Sequence, residues 1–207
     1  MSRTTLRRAA LFAGPLGYIA VGIVHPVPDP RIGDPTGLFI FLHLVQPFLI
    51  GLLAYGLWSL LDGLEGRVAQ IARFAIVPFA LAYTVFETVA GTSMGLMVQE
   101  ANKLSAADRA VAENLVDNLD ALWIGYPIYI IAGLSWLVAS VGTAFALRAS
   151  GRAVTLLIGL GGALFAVAHP FPPGPIGMTL VLAGFVLHEY RTSRASDRVE
   201  AAPVLQT

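Results

Sequence analysis

Glu87, in Tyr83-Thr84-Val85-Phe86-Glu87-Thr88, is the acidic residue that lies deepest within a long apolar run of this chain. An ionisable side chain in hydrocarbon costs about 2.5 to 3.5 kcal/mol on insertion scales, so its position asks for a reason. No basic residue lies comparably deep in any run, and without a paired cation a desolvated carboxyl favours its neutral form. A neutral carboxyl can act as a general acid, and one that cycles can carry protons. The structural alternative is a hydrogen-bonded tie between helices.

His43 and Gln46 lie three residues apart and share one face of the preceding run. Pro47 then removes the N–H that would bond the carbonyl of His43, and Pro127 does the same for Trp123 further along. Two loosened helices could border a pocket. Phe79, Tyr83 and Phe86 accompany Glu87, Trp123, Tyr126, Tyr129 and Trp136 recur along the run after Asp120, and Asp120 stands at its mouth. An acid above an aromatic-lined pocket could protonate an alkene or epoxide and shelter the resulting cation. Ordinary packing and an interfacial aromatic belt account for the same residues. The candidate catalytic groups are therefore Glu87, His43 and Asp120, with Gln46, Tyr83, Trp123, Tyr126 and Tyr129 lining the substrate.

His25, His43 and His169 fall near one membrane face, where they could bind a transition metal, or two of them a haem iron. His188 lies toward the other face, and no HxxH or HxxxH spacing singles out ligands. The sequence therefore assigns neither a metal nor a cofactor. Gly91-Thr92-Ser93-Met94-Gly95 formally matches the GxSxG nucleophile pattern, but that motif requires a strand-to-helix turn and this one lies within a helical run. A six-helix core with a glycine-flanked serine and a histidine resembles the rhomboid intramembrane proteases. The resemblance is confined to a few residues, since Ser93 is on the third run and His169 ends the fifth. Close helix packing is the expected role of these small residues.

The elements that must position these groups are membrane helices. The 207 residues are 56% hydrophobic and 13% charged, whereas a soluble domain carries about 25% charged residues. Thirteen basic and thirteen acidic side chains cancel, so no net field points to nucleic acid. With no cysteine, disulfides and thiolate chemistry are excluded. Six runs qualify as spans: Ala9 to Val24, Gly37 to Leu61, Ala69 to Val98, Leu122 to Leu147, Val154 to Ala168 and Pro175 to Leu187. Gly22-Ile23-Val24-His25-Pro26 offers no small-x-small cleavage site, so the first run is expected to be retained.

Orientation follows from the arginines. With the N-terminus inside, ten of the thirteen basic residues face the cytoplasm, leaving Arg31, Lys103 and Arg109 outside. The expected fold is all-α, a single six-helix domain over residues 1–198 with both ends inside and a mobile cytoplasmic tail from Val199. Between the third and fourth runs, Ser105 and Asp108 form a helix-start pair. An amphipathic surface helix is predicted from Ala106 to Asn118, resting Val111, Leu115 and Leu119 on the bundle. Ala20 to Pro30 and Phe165 to Pro175 both end a run in His-Pro and a proline-rich turn, which convergent helix termination explains.

These features predict a multi-pass protein of a bacterial inner membrane, working on a lipophilic, isoprenoid-like small molecule by acid–base cyclisation or isomerisation. The expected partners are the bilayer and that small molecule, without nucleic acid. The alternatives are a transport or channel subunit using Glu87 as its proton or cation site, expected to be a homo-oligomer, and a haem- or metal-binding subunit of a larger complex.

Overall fold

The computed structural model describes residues 3–26, 31–121, 125–167, 169 and 172–200, and it is all-helical, with no strand among the described residues. The helices are α1 (Arg3–Val24), α2 (Gly37–Leu61), α3 (Arg67–Phe86), α4 (Met94–Ala101), α5 (Ala106–Ala121), α6 (Gly125–Ala146), α7 (Arg152–Val167) and α8 (Pro173–Glu200). A π-helical turn, Glu87–Ser93, joins α3 to α4 without a break. Four stretches are long and apolar enough to cross a membrane: Thr4–Val24, Gly37–Leu61, Arg67–Ala101 and Pro127–Ala146. The apolar α7 is shorter.

Six helices close into a ring. Contacts run from α1 to α2, α2 to α3, α3 to α6, α6 to α7 and α7 to α8, and α8 returns to α1. Small residues let the backbones approach, because hydrocarbon supplies no hydrophobic push between helices and packing must replace it. At the α7–α8 contact, a Cβ on Gly161 would lie 2.5 Å from the carbonyl oxygen of Gly177, and one on Gly177 would lie 2.6 Å from that of Gly161. Inside the ring, Trp136 packs against Phe79 and Phe165 at 4.9 and 5.3 Å between ring centroids. Its indole N–H, which must be satisfied when buried, donates to the carbonyl of Gly162 at 2.8 Å.

The outer surface is apolar as well. Phe48 and Phe74 are 76% and 79% exposed, with Leu81, Val167 and Leu156 similarly outward. Such a surface would be a continuous apolar patch in water. It matches a hydrocarbon solvent.

The two ends of the ring differ. At one end, Arg7 pairs with Glu189, Arg8 lies 3.6 Å from the same carboxylate, and Arg73 donates to the carbonyls of Leu61 and Leu64, the latter at 2.8 Å. A polar cavity of about 460 Å³, lined by Arg7, Ser59, Asp62, Ser150 and His188 among others, opens there. At the other end, the side chain of Asn102 accepts from Gly33 N–H at 2.5 Å and donates to the carbonyl of Asp34 at 3.1 Å. The connecting segments thus gather alternately at opposite ends.

Several expectations are revised. Helix α5 begins at the anticipated cap, where the Ser105 hydroxyl accepts from Asp108 N–H at 3.4 Å, but it continues to Ala121. Val116, not the anticipated pair, packs against Met94 and Val98, while Val111 and Leu115 are 64% and 59% exposed. The physical reason is a helix rolled by one residue, so that α4 meets the 116 position. The side chain of Leu119 lies outside the described residues. Pro127 falls in the first turn of α6, where no N–H is required, so it gives no mid-helix kink. Pro47 does lie inside α2, as Pro15 and Pro78 do in α1 and α3. Helical backbone in α8 runs through Glu200, and the rest of the anticipated tail, residues 201–207, lies outside the described residues.

Candidate metal centre

Glu87 opens the π-helical turn, and the turn has a local cause. The Thr88 hydroxyl donates back to the carbonyl of Thr84 at 2.8 Å, and the Ser93 hydroxyl donates to the carbonyl of Thr88, five residues earlier, at 2.9 Å. Hydroxyls that compete for helix carbonyls widen the ladder, and single π turns often accompany functional sites. Ser93 is thereby engaged with backbone. Gly91 and Gly95 face α2: a Cβ on Gly91 would come 1.9 Å from the His43 ring, and one on Gly95 would come 2.7 Å from Ile40. The GTSMG segment is a packing surface, as expected of its small residues.

The turn brings Glu87 level with His43, in the second turn of α2, and with His25, which follows the last residue of α1. Counting from Val98 at about 1.5 Å per residue would set Glu87 roughly 15 Å below that face. Because the π turn and α4 carry the third helix on to Ala101, past the level at which α1 and α7 end, Glu87 instead stands level with those helix ends. His43 Nε2 lies 3.6 Å from Glu87 Oε2 and 3.4 Å from His25 Nε2. His169 completes the group, its ring centroid 5.2 Å from that of His25. One ring nitrogen from each of His25, His43 and His169 lies within 4.8 Å of the others. All three imidazoles are buried, and Glu87 has no solvent exposure.

Backbone carbonyls orient two of these rings. His43 Nδ1 lies 2.8 Å from the carbonyl of Phe39, and His25 Nδ1 lies 2.8 Å from that of Pro26. A carbonyl only accepts, so each Nδ1 bears the proton and donates, and each neutral ring then presents an Nε2 lone pair. Two lone pairs and a carboxyl oxygen converge. A proton on one Nε2 or on the carboxyl would relieve the repulsion, and so would a metal ion; an Nδ1–H bonded to backbone is the usual outer-sphere support of a metal-binding histidine. His169 has no hydrogen bond at either ring nitrogen among the described residues. Its position is fixed from behind, since a Cβ on Gly174 would come 1.8 Å from its carbonyl oxygen.

The spacing suits an ion. At metal–nitrogen bonds of about 2.05 Å, two donors 3.4 Å apart subtend about 112°, close to tetrahedral. Three imidazoles with a carboxylate and no thiolate suit zinc, iron(II) or another first-row divalent ion.

Of the residues anticipated for a site, Glu87, His43, Gln46 and Tyr83 come together. Gln46 and Tyr83 are buried, and the Tyr83 ring lies 6.2 Å from His169. Tyr129 stands at the edge, its ring 5.2 Å from Phe86 and its hydroxyl donating to the carbonyl of Val167 at 3.0 Å. Asp120 is on helical backbone in α5, but its side chain, that of Tyr126 and all of Trp123 lie outside the described residues. His25 and His169, left unassigned in the sequence, belong to the cluster, and the repeated His-Pro helix ending was their available signal. His188 is at the opposite end, bonded to the Ser150 hydroxyl at 3.0 Å.

Two further buried groups adjoin the cluster. Neither amide atom of Gln46 nor the hydroxyl of Tyr18 has a hydrogen-bond partner among the described residues. A buried polar group left in that condition costs roughly 1–3 kcal/mol. No protein-family model, curated protein or solved structure matches this chain.

Proposed function

We propose that the chain is a six-span protein of a bacterial cell membrane, with both ends cytoplasmic, whose working centre is one transition-metal ion held by His25, His43 and His169 beside Glu87. The observation that carries this reading is the convergence of two carbonyl-oriented Nε2 lone pairs and a buried carboxyl within 3.6 Å contacts. An ion held there would supply Lewis acidity to a bound substrate. Glu87 accepts and returns the proton, and the aromatic rings of Phe39, Tyr83 and Phe86 confine a lipophilic small molecule to an apolar environment. Isomerisation or cyclisation of such a molecule fits that chemistry.

The test is metal analysis of the purified full chain, with zinc, iron(II) and cobalt(II) titrated into chelator-treated protein. One ion per chain is expected, lost in His43→Ala and His25→Ala and retained in His188→Ala. An unaltered ion content in both site variants would overturn the assignment. Flux of the bound ion through proteoliposomes would assign the same site to transport instead of catalysis.

A further inference from the structure

At the end of the ring away from the histidine cluster, the cavity of about 460 Å³ is lined by Arg7 of α1, Ser59 of α2, Asp62 just past it, Ser150 after α6, and His188 of α8. Because α6 stands across the ring from α1, the cavity lies on the ring's axis and not in its lipid-facing surface. Its volume falls within the range of about 300–1,000 Å³ typical of small-molecule sites. The lining holds unused donors. Arg7 gives Nη2 to Glu189, but its Nη1 is accessible and has no partner among the described residues. His188 is 7% exposed and spends only Nδ1, which lies 3.0 Å from the Ser150 hydroxyl. With that hydroxyl donating, the ring's proton sits on Nε2, which has no partner among the described residues. The lining also holds acceptors. Ser59 already donates its hydrogen to the carbonyl of Gly56 at 2.7 Å, so it can only accept from a ligand, and the Asp62 carboxylate likewise only accepts.

We infer that this cavity is a binding site for a hydrogen-phosphate group, either free inorganic phosphate or the singly ionised headgroup of phosphatidic acid. The sign of the ligand follows from the rim. Arg73 donates to the carbonyl of Leu64 at 2.8 Å and Arg191 to that of Ser150, both lining residues, and Arg8 lies 3.6 Å from Glu189. With Arg7 these guanidiniums outnumber the carboxylates of Glu189 and Asp62, while exposed Glu65 and Arg148, each next to a lining residue, offset one another. The field in the cavity therefore favours an anion. The class of anion follows from the acceptors. Asp62 and Ser59 need a hydrogen from the ligand, which a P–O–H supplies and which sulfate or a carboxylate cannot. The remaining phosphate oxygens accept from Arg7 Nη1 and His188 Nε2, charge-assisted bonds in the case of the guanidinium.

Isothermal titration of the full chain with inorganic phosphate, in phosphatidylcholine nanodiscs with and without phosphatidic acid, tests this. One phosphate per chain is expected in the plain nanodiscs, with sulfate bound about 10-fold more weakly or worse because it brings no hydrogen. Arg7→Lys keeps a cation opposite Glu189 but lacks the second nitrogen, and His188→Gln leaves the Arg7–Glu189 pair untouched. Each should weaken phosphate binding by about 10-fold or more. Arg148→Gln, which removes a guanidinium that donates to the carbonyl of Phe145 outside the cavity, should bind like the natural chain. The two membranes separate the sources: phosphate binding blocked by phosphatidic acid identifies the lipid headgroup, and binding unaltered by it identifies the free anion. No saturable phosphate binding to the natural chain in plain nanodiscs, equal affinity for sulfate, or full affinity in both site variants would overturn the inference. The histidine cluster lies at the opposite end, so the presence or absence of zinc there leaves this outcome intact.

Discussion

Gly91 makes room for the ring of His43: a Cβ built on Gly91 would lie 1.9 Å from that imidazole's Cδ2 and 2.3 Å from its Cγ. The imidazole is held on its other side by the Phe39 carbonyl and ring, the ring centroids 4.0 Å apart. A methyl group at position 91 has nowhere to go unless His43 turns away. Gly91→Ala should therefore yield a folded chain whose metal affinity falls by at least 10- to 100-fold, as when the support of a ligating histidine is lost. Gly51→Ala, where a Cβ meets open space, serves as the control and should bind metal like the natural chain. Isothermal titration with zinc checks both.

Glu87→Gln separates charge from shape. The amide keeps the volume and a hydrogen-bond donor but cannot exchange a proton or neutralise a cation. Metal content should persist on the three imidazoles with affinity weakened roughly 10- to 100-fold, while turnover, once a substrate is found, collapses. Glu87→Asp retains the charge and shortens the reach by one methylene, so it should lower turnover more than melting temperature. A Glu87→Gln chain with undiminished affinity and turnover would reduce Glu87 to an interhelical tie.

Metal binding should weaken on acidification. Imidazole must be neutral to ligate, and its ordinary midpoint is about 6.5. Burial holds the His169 ring well below that, with a midpoint of about 3, so protons should not compete for its nitrogen between about pH 7.5 and 5.5 and affinity should fall only at more acid pH. Zinc titrations from about pH 7.5 downward read where the fall begins. A steep loss of affinity already between about pH 7.5 and 6 would mean that the ion is held by exposed histidines and not by this cluster.

Topology follows from the alternation of ends. Reporter fusions at Asp34, Leu104 and Gly174 should score outside, and those at Gly66, Gly151 and Ser196 inside. The side-chain ties agree with this grouping, since Asn102 joins Gly33 and Asp34 while Arg7 joins Glu189 at the far end. Reversal at Gly151 and Gly174 together would leave α7 and α8 as a re-entrant pair.

Much of the framework could be read along the chain because it is local. Apolar runs delimit α2, α6 and α7 to within a few residues, while α1 begins at Arg3, six residues before its run. The pairing of His43 with Gln46 follows from helical spacing alone. The meeting of His25 with His169 does not, because it depends on α8 carrying the end of α7 back to α1, a contact between distant segments that no periodicity encodes. The π turn was hidden for a different reason. Thr88 and Ser93 can bond to helix carbonyls in a regular α-helix as well, so the hydroxyls that widen the ladder here do not by their spacing announce a π turn. The roll of α5 that buries Val116 and leaves Leu115 outward is likewise set by its partner, α4.

The ring closes between its first and last helices, and this fixes the order in which the protein can be assembled. Residues 7 and 189 meet across nearly the whole chain, and Gly22 on α1 rests against Pro175 of α8, where a Cβ would come within 2.7 Å. A chain made from its N-terminus places α1 and α2, with His25 and His43, in the membrane before His169 has been synthesised. The half-built protein holds only two of the three imidazoles. Docking of the α7–α8 hairpin supplies the third ring and seals the gap between α1 and α6. If the cluster holds an ion as proposed, its capture would be tied to completion of the whole chain, and a nascent protein stalled before α7 would have no finished pocket in which to trap the wrong metal.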